Sequence, residues 1–176
     1  MNRMAALLVI AGLAGVPAAL AQDNPFSTDT RLTYAVIKVM MLKAVDEMPA
    51  EDYSFRSVPQ VRSFAEMIAH VADAQLRMCG VVKGEPVTAR AASLTASPNA
   101  KAALMGALKA SFDYCDPVYA AMTDAAGAAK VKWAVWDLSK LGLLNWNITH
   151  DNEMYGIIGA FLRLKGLVPP EFVGRP

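Results

Sequence analysis

Four segments of this chain carry apolar residues at spacings of three and four, and most are closed off by proline or glycine, a pattern that confines the fold to packed helices. The first, Asp29 to Met48, sets Leu32, Ala35, Val36, Val39, Met40 and Val45 on that spacing and stops at Pro49. Glu51 to Gln60 has no periodicity and holds Pro59, so a loop is expected there. Ser63-Phe64-Ala65-Glu66 is a capping box: the serine oxygen takes an orphan amide and the glutamate reaches back to the serine amide. It opens a second helix to about Val82, ended by Gly84 and Pro86. Ser97, with Pro98 behind it, predicts the start of a third helix through Leu104, Leu108, Phe112 and Tyr114 towards Met122. Pro117 inside that pattern predicts a kink or a break. Asp124 to Trp136 is ambiguous, because Gly127 and an alanine run weaken any pattern. Ser139 predicts the cap of a fourth helix reaching Lys165, with Gly166 and Pro169-Pro170 as stops, and Glu171 to Pro176 is expected as an extended tail. No run of alternating apolar and polar residues with β-branched enrichment is evident, so the expected class is all-α, a four-helix bundle.

Upstream of the first helix, Met1-Asn2-Arg3-Met4, the apolar run Ala5 to Ala14 and the small residues up to Ala21 have the parts of a secretory signal peptide. The alternative, an uncleaved anchor, has an apolar stretch well short of the roughly 20 residues that cross a bilayer. Cleavage after Ala21 leaves 22–176 as one domain, secreted or periplasmic, with no later segment apolar enough to span a membrane. Lys and Arg total 17 against 16 Asp and Glu, and no basic stripe is interleaved with aromatics, which argues against nucleic acid as a partner. Cys79 and Cys115 are spaced wrongly for a CxxC redox motif or a zinc knuckle. In an oxidising compartment they are either a disulfide or two buried thiols.

The chemistry concentrates on two histidines. His150-Asp151-Asn152-Glu153-Met154 has the form of a helical His-x-x-x-His metal motif with methionine in the second position, and residues four apart on a helix can address one ion. The other histidine, His70, has Glu66 four residues before it and Asp73 three after, either of which can orient an imidazole. Glu66 and Glu153 are the possible substitute donors for a missing third ligand. Trp146, one turn before His150, and Tyr155 are candidate pocket walls. For each of these residues a place in the core is the plain alternative.

Ser63 through Asp73, together with His150 through Gly156 and Leu162-Arg163-Leu164-Lys165-Gly166-Leu167-Val168-Pro169-Pro170, resembles the DinB-like (DinB/YfiT) superfamily, the resemblance running from about Thr28 to Pro170. It implies an up-up-down-down bundle with a long crossover, a homodimer, and a divalent metal held by one histidine of the second helix and two of the fourth. Carried onto this chain, the ligands are His70 and His150, and the third falls on Met154. The resemblance further implies activation of a small thiol or of water, as in thiol-dependent transferases, isomerases and hydrolases.

Two function classes follow. One is a metal-dependent transferase or hydrolase with an incomplete two-histidine site, binding nickel, zinc, iron or manganese weakly. The other is a non-catalytic binding or structural module that has lost the metal. Copper(I) held by His70, His150 and the Met154 thioether is a third possibility, since copper(I) accepts soft sulfur.

Overall fold

The structure is a computed structural model describing residues 23–85 and 87–171; the expected signal peptide, 1–21, lies outside them. The described residues form five α-helices and one hairpin: α1 (Pro25–Glu47), α2 (Phe64–Lys83), α3 (Ala100–Ala121), a single-turn α4 (Asp124–Gly127), strands β1 (Lys130–Trp133) and β2 (Trp136–Ser139), and α5 (Lys140–Leu164). Short 3-10 turns at Ala50–Asp52 and Ala91–Ala96 join the longer helices.

Local signals explain most boundaries. Ser63 caps α2 with both halves of the box formed: its Oγ accepts from the Glu66 amide at 3.2 Å, and Glu66 Oε2 accepts from the Ser63 amide at 2.7 Å. Ser139 Oγ accepts from the Gly142 amide and caps α5. Gly166, at φ +75, ends α5, where the Leu167 amide donates back to the Leu162 carbonyl at 2.9 Å, the bond of a Schellman motif.

Four expectations are corrected. α1 starts one turn earlier than its apolar pattern, with Pro25 in its first turn, because Asp124 of α4 accepts from the Ser27 amide at 2.7 Å and the Phe26 amide at 3.3 Å. That cap comes from about a hundred residues away and leaves no local signal. α3 begins after Asn99 rather than Ser97, whose Oγ turns to the Asn99 amide. Pro117 does not break α3: it and Asp113 both lie on the exposed face, so the carbonyl freed by the missing amide meets water. The stretch left ambiguous holds a β-hairpin, β1 antiparallel to β2 with Val131 opposite Leu138 and Trp133 opposite Trp136. Its strands do alternate, but four residues each is too short to stand out from a helical background.

The core lies between the four longer helices. α2 packs on α3 and α5, and α1 packs on the same two helices. Ile37 and Met41 of α1, Ile68 of α2, Leu108 and Phe112 of α3 and Ile158 of α5 are at or near zero exposure. Each such side chain contributes on the order of 1.5–3 kcal/mol by leaving water. A disulfide between Cys79 and Cys115 joins α2 to α3 across 5.5 Å between Cα atoms, with both residues fully buried. Gly80, on the turn next to Cys79, is required for packing, since a Cβ there would stand 2.7 Å from the Glu85 carbonyl oxygen as the chain folds back over α2.

Candidate functional site

α2 and α5 bring the two histidines together. His70, Ala74 and Arg77 follow one another at helical spacing on α2, and Trp146 and His150 do so on α5. His70 Nε2 and His150 Nε2 stand 3.0 Å apart, with the rings inclined at 67°. One nitrogen donates and the other accepts, so this bond requires at least one neutral ring. Partial burial first, then the charges of Arg62, His150 and Arg77, push His70 down to about 4, with Asp73 opposing, so this imidazole is neutral at pH 7.

The residue next to His150 completes the arrangement. Asp151 is fully buried, and neither carboxylate oxygen has a hydrogen-bond partner among the described residues. Its Oδ1 lies 3.6 Å from His150 Nδ1, an electrostatic contact too long for a hydrogen bond. Burial pushes Asp151 up to about 6 against the pull of His150, so at pH 7 it is mostly an anion held at a cost. That anion favours the proton on His150 Nδ1, whence His150 Nε2 accepts, His70 Nε2 donates, and His70 Nδ1 is left as an acceptor. This tautomer order is inferred from the network.

One turn before Asp151, Asn147 donates to Gln75 Oε1 at 2.9 Å and to the Tyr119 hydroxyl at 3.0 Å. Tyr119 in turn donates to the Leu144 carbonyl and stacks on Tyr34 at 3.7 Å between centroids. Burial raises both phenols far above their ordinary range. The histidine pair therefore sits at the end of a polar seam that runs into the core.

On its outer side the pair faces a cavity of about 480 Å³, walled by Arg77, Met78, Trp133 of the hairpin and Trp146. A second cavity of about 550 Å³ shares His70 and Arg77 with the first and adds Arg62. A larger cavity, about 840 Å³, adjoins the second through Arg56, Glu66 and Thr95, extends past Tyr53 and Lys101, and holds neither histidine.

The other candidates are placed as follows. Met154 is buried in the core. Glu66 is occupied by its capping box and by Arg56 at 3.1 Å, and the Ser63 amide bond holds its carboxyl below the usual range. Glu153 is on the exposed side of α5. Asp73 accepts from the amides of Ala91 and Ala92 rather than from His70. Trp146 walls the cavity, whereas the Tyr155 hydroxyl donates to the Pro170 carbonyl beside a different pocket. The site also takes in Asp151, Arg77 and Trp133, which no sequence motif marks. Asp151 had a signal: Asn147, Asp151, Met154 and Ile158 fall on one helical stripe, so a carboxylate there shares a face with core residues.

The donor set can be tested against the divalent metal that the resemblance implies. Two nitrogens 3.0 Å apart suit adjacent positions on one ion at about 2.0–2.1 Å from each. A third donor does not converge: among the described residues, no group of three His, Cys, Asp or Glu side chains could hold an ion. The set does not fit a three-ligand divalent centre, and no chemical step is derived through one.

Comparison with known proteins gives the following. The family model described as the DinB superfamily matches residues 38–158. A DinB-like protein from Bacillus cereus is similar in structure, with a TM-score of 0.68 at 15% identity over 82% of this chain and 96% of that one. A protein from Exiguobacterium sibiricum, described as a putative member of the DinB family, has a TM-score of 0.61 at 19% identity, covering 80% of this chain and 92% of that one. A mycothiol-dependent maleylpyruvate isomerase has a TM-score of 0.61 at 16% identity over 75% of this chain, which spans 59% of the isomerase. No curated protein matches the chain.

Proposed function

The chain belongs to the DinB superfamily, and we propose that on this scaffold it binds a small molecule over the His70–His150 pair, in place of the three-histidine metal chemistry that the resemblance implies. The observation that carries this reading is the hydrogen-bonded imidazole pair at the wall of a tryptophan-lined cavity, held from behind by a buried carboxylate that has no hydrogen bond among the described residues. A buried charge without a hydrogen bond is costly to keep, and such costs concentrate at functional sites. The test is a titration of the mature protein with a panel of neutral and charged aromatic and aliphatic fragments, followed by the imidazole NMR resonances. Saturable shifts of His70 and His150 with at least one fragment support the reading; no shift across the panel overturns it.

A second reading, a metal-dependent transferase or hydrolase, rests only on the 3.0 Å approach of the two Nε2 atoms and would need its further ligands from solvent or substrate. Stoichiometric zinc or nickel uptake that is lost in His150→Ala would favour it over the first. We also infer export. The N-terminal sequence supports this, as does the fully buried Cys79–Cys115 disulfide, which belongs in an oxidising compartment. N-terminal sequencing of the protein isolated from its native cells would find Gln22 if this is right and Met1 if it is not.

A further inference from the structure

We propose that the ligand of this pocket is an aromatic carboxylate, its ring against Trp133 and Trp146 and its carboxylate on Arg77. The proposal rests on the small-molecule reading above and names the class of molecule. Three observations carry it.

The apolar end of the trough is aromatic. Trp133 comes from the hairpin and Trp146 from α5, one turn before His150, with Met78 on the α2 side. Flat rings and a thioether favour a flat apolar guest over a branched one. The polar end is cationic. Arg62 and Arg77 form no ion pair or hydrogen bond among the described residues, whereas Arg56, Lys38 and Lys165 are each paired with a carboxylate. Both guanidiniums act on His70. The carboxylate that could neutralise them locally, Asp73, is occupied by two backbone amides.

The two ends are also continuous. His70 and Arg77 line both adjoining cavities, and they stand two turns apart on α2, about 10 Å along its axis. Because His70 meets His150 while Gln75 meets Asn147, α2 and α5 run antiparallel and Arg77 lies on the tryptophan side of the pair, so a molecule with a ring at the tryptophans and a carboxylate at Arg77 lies beside the imidazoles in the first cavity. A guanidinium can donate parallel hydrogen bonds to both oxygens of a carboxylate, which gives the acid an advantage over its neutral amide.

The probes are 2-naphthoate and 2-naphthamide, which share a ring and differ in charge, titrated calorimetrically into the mature wild-type protein, Arg77→Gln and the distant control Arg31→Gln. The expected result is naphthoate bound at least about tenfold more tightly than the amide in wild type and Arg31→Gln, with that advantage gone in Arg77→Gln. Equal binding of acid and amide, an advantage that survives Arg77→Gln, or no binding of either overturns the proposal. Arg77 is exposed, so its replacement leaves the fold intact, which a thermal melt checks. If neither naphthalene binds while other fragments still shift the imidazole resonances, the ligand class fails and the pocket reading stands; if nothing shifts them, both fail.

Discussion

Replacing Asp151 by asparagine removes a charge that the fold holds at a cost, and the size of the effect can be worked out. The carboxyl is fully buried, makes no hydrogen bond among the described residues, and is raised from 3.8 to about 6. Because the folded value lies above the unfolded one, Asp151 loses stability for the protein as pH rises from about 4 to 6. At pH 7 the full difference applies, roughly 3 kcal/mol at about 1.4 kcal/mol per unit. Asparagine keeps the shape without the charge but brings two N–H donors, and an unpaired buried donor costs about 1–3 kcal/mol. The expected net result for Asp151→Asn is a gain of about 0–2 kcal/mol at pH 7, or up to roughly 8 °C in Tm, with no gain at pH 4.5, where the wild-type group is already protonated. Urea unfolding followed by tryptophan fluorescence at the two pH values measures both. A loss of 1 kcal/mol or more at pH 7 would refute the reasoning, because it would mean that the carboxylate is well satisfied where it stands.

In Asp151→Asn the His70 contribution should stand alone: with a folded value near 4 against 6.5 unfolded, His70 stabilises fully above pH 6.5 and loses this as pH falls towards 4. Partial exposure limits the effect to on the order of 1–2 kcal/mol, and the wild type should show a flatter profile than the variant over the same range, because Asp151 acts in the opposite sense. Met154→His adds an imidazole one turn from His150 and should raise zinc or nickel affinity more than about 100-fold by calorimetry; an unchanged affinity would mean that position 154 does not address the pair. Cys79→Ala with Cys115→Ala should cost about 2–5 kcal/mol in urea unfolding, since the bond closes a loop of 36 residues and is buried. Ser63→Ala should cost about 1 kcal/mol by breaking the α2 capping box.

Most of the fold was legible because its determinants are local. The Ser63 capping box, the Ser139 cap and the Gly166 stop each act within a few residues, and each marks a real helix end. What escaped was set by partners distant in sequence or by lengths too short to carry a period. The start of α1 depends on Asp124, and the hairpin has only four residues per strand. The site divides in the same way. Helical spacing put His70 and His150 in view, but whether they meet depends on how α2 crosses α5, which no local spacing reports. The position of Glu66 in the sequence suits both a cap and a metal donor; its capping box and Arg56 account for its oxygens. Trp133 entered the site only because the unrecognised hairpin carries it there.

At the centre stands a hydrogen-bonded imidazole pair whose His70 ring is neutral, ordered by a buried anion and open to a ligand through His70 Nδ1. Long-range proton–nitrogen correlation of the two histidine rings in the mature protein at pH 7 tests it directly. The expected spectrum has His150 protonated at Nδ1, His70 protonated at Nε2, and the His70 Nδ1 signal shifting when a fragment binds. Two doubly protonated rings, or the reverse tautomer order with no response to any fragment, would contradict it.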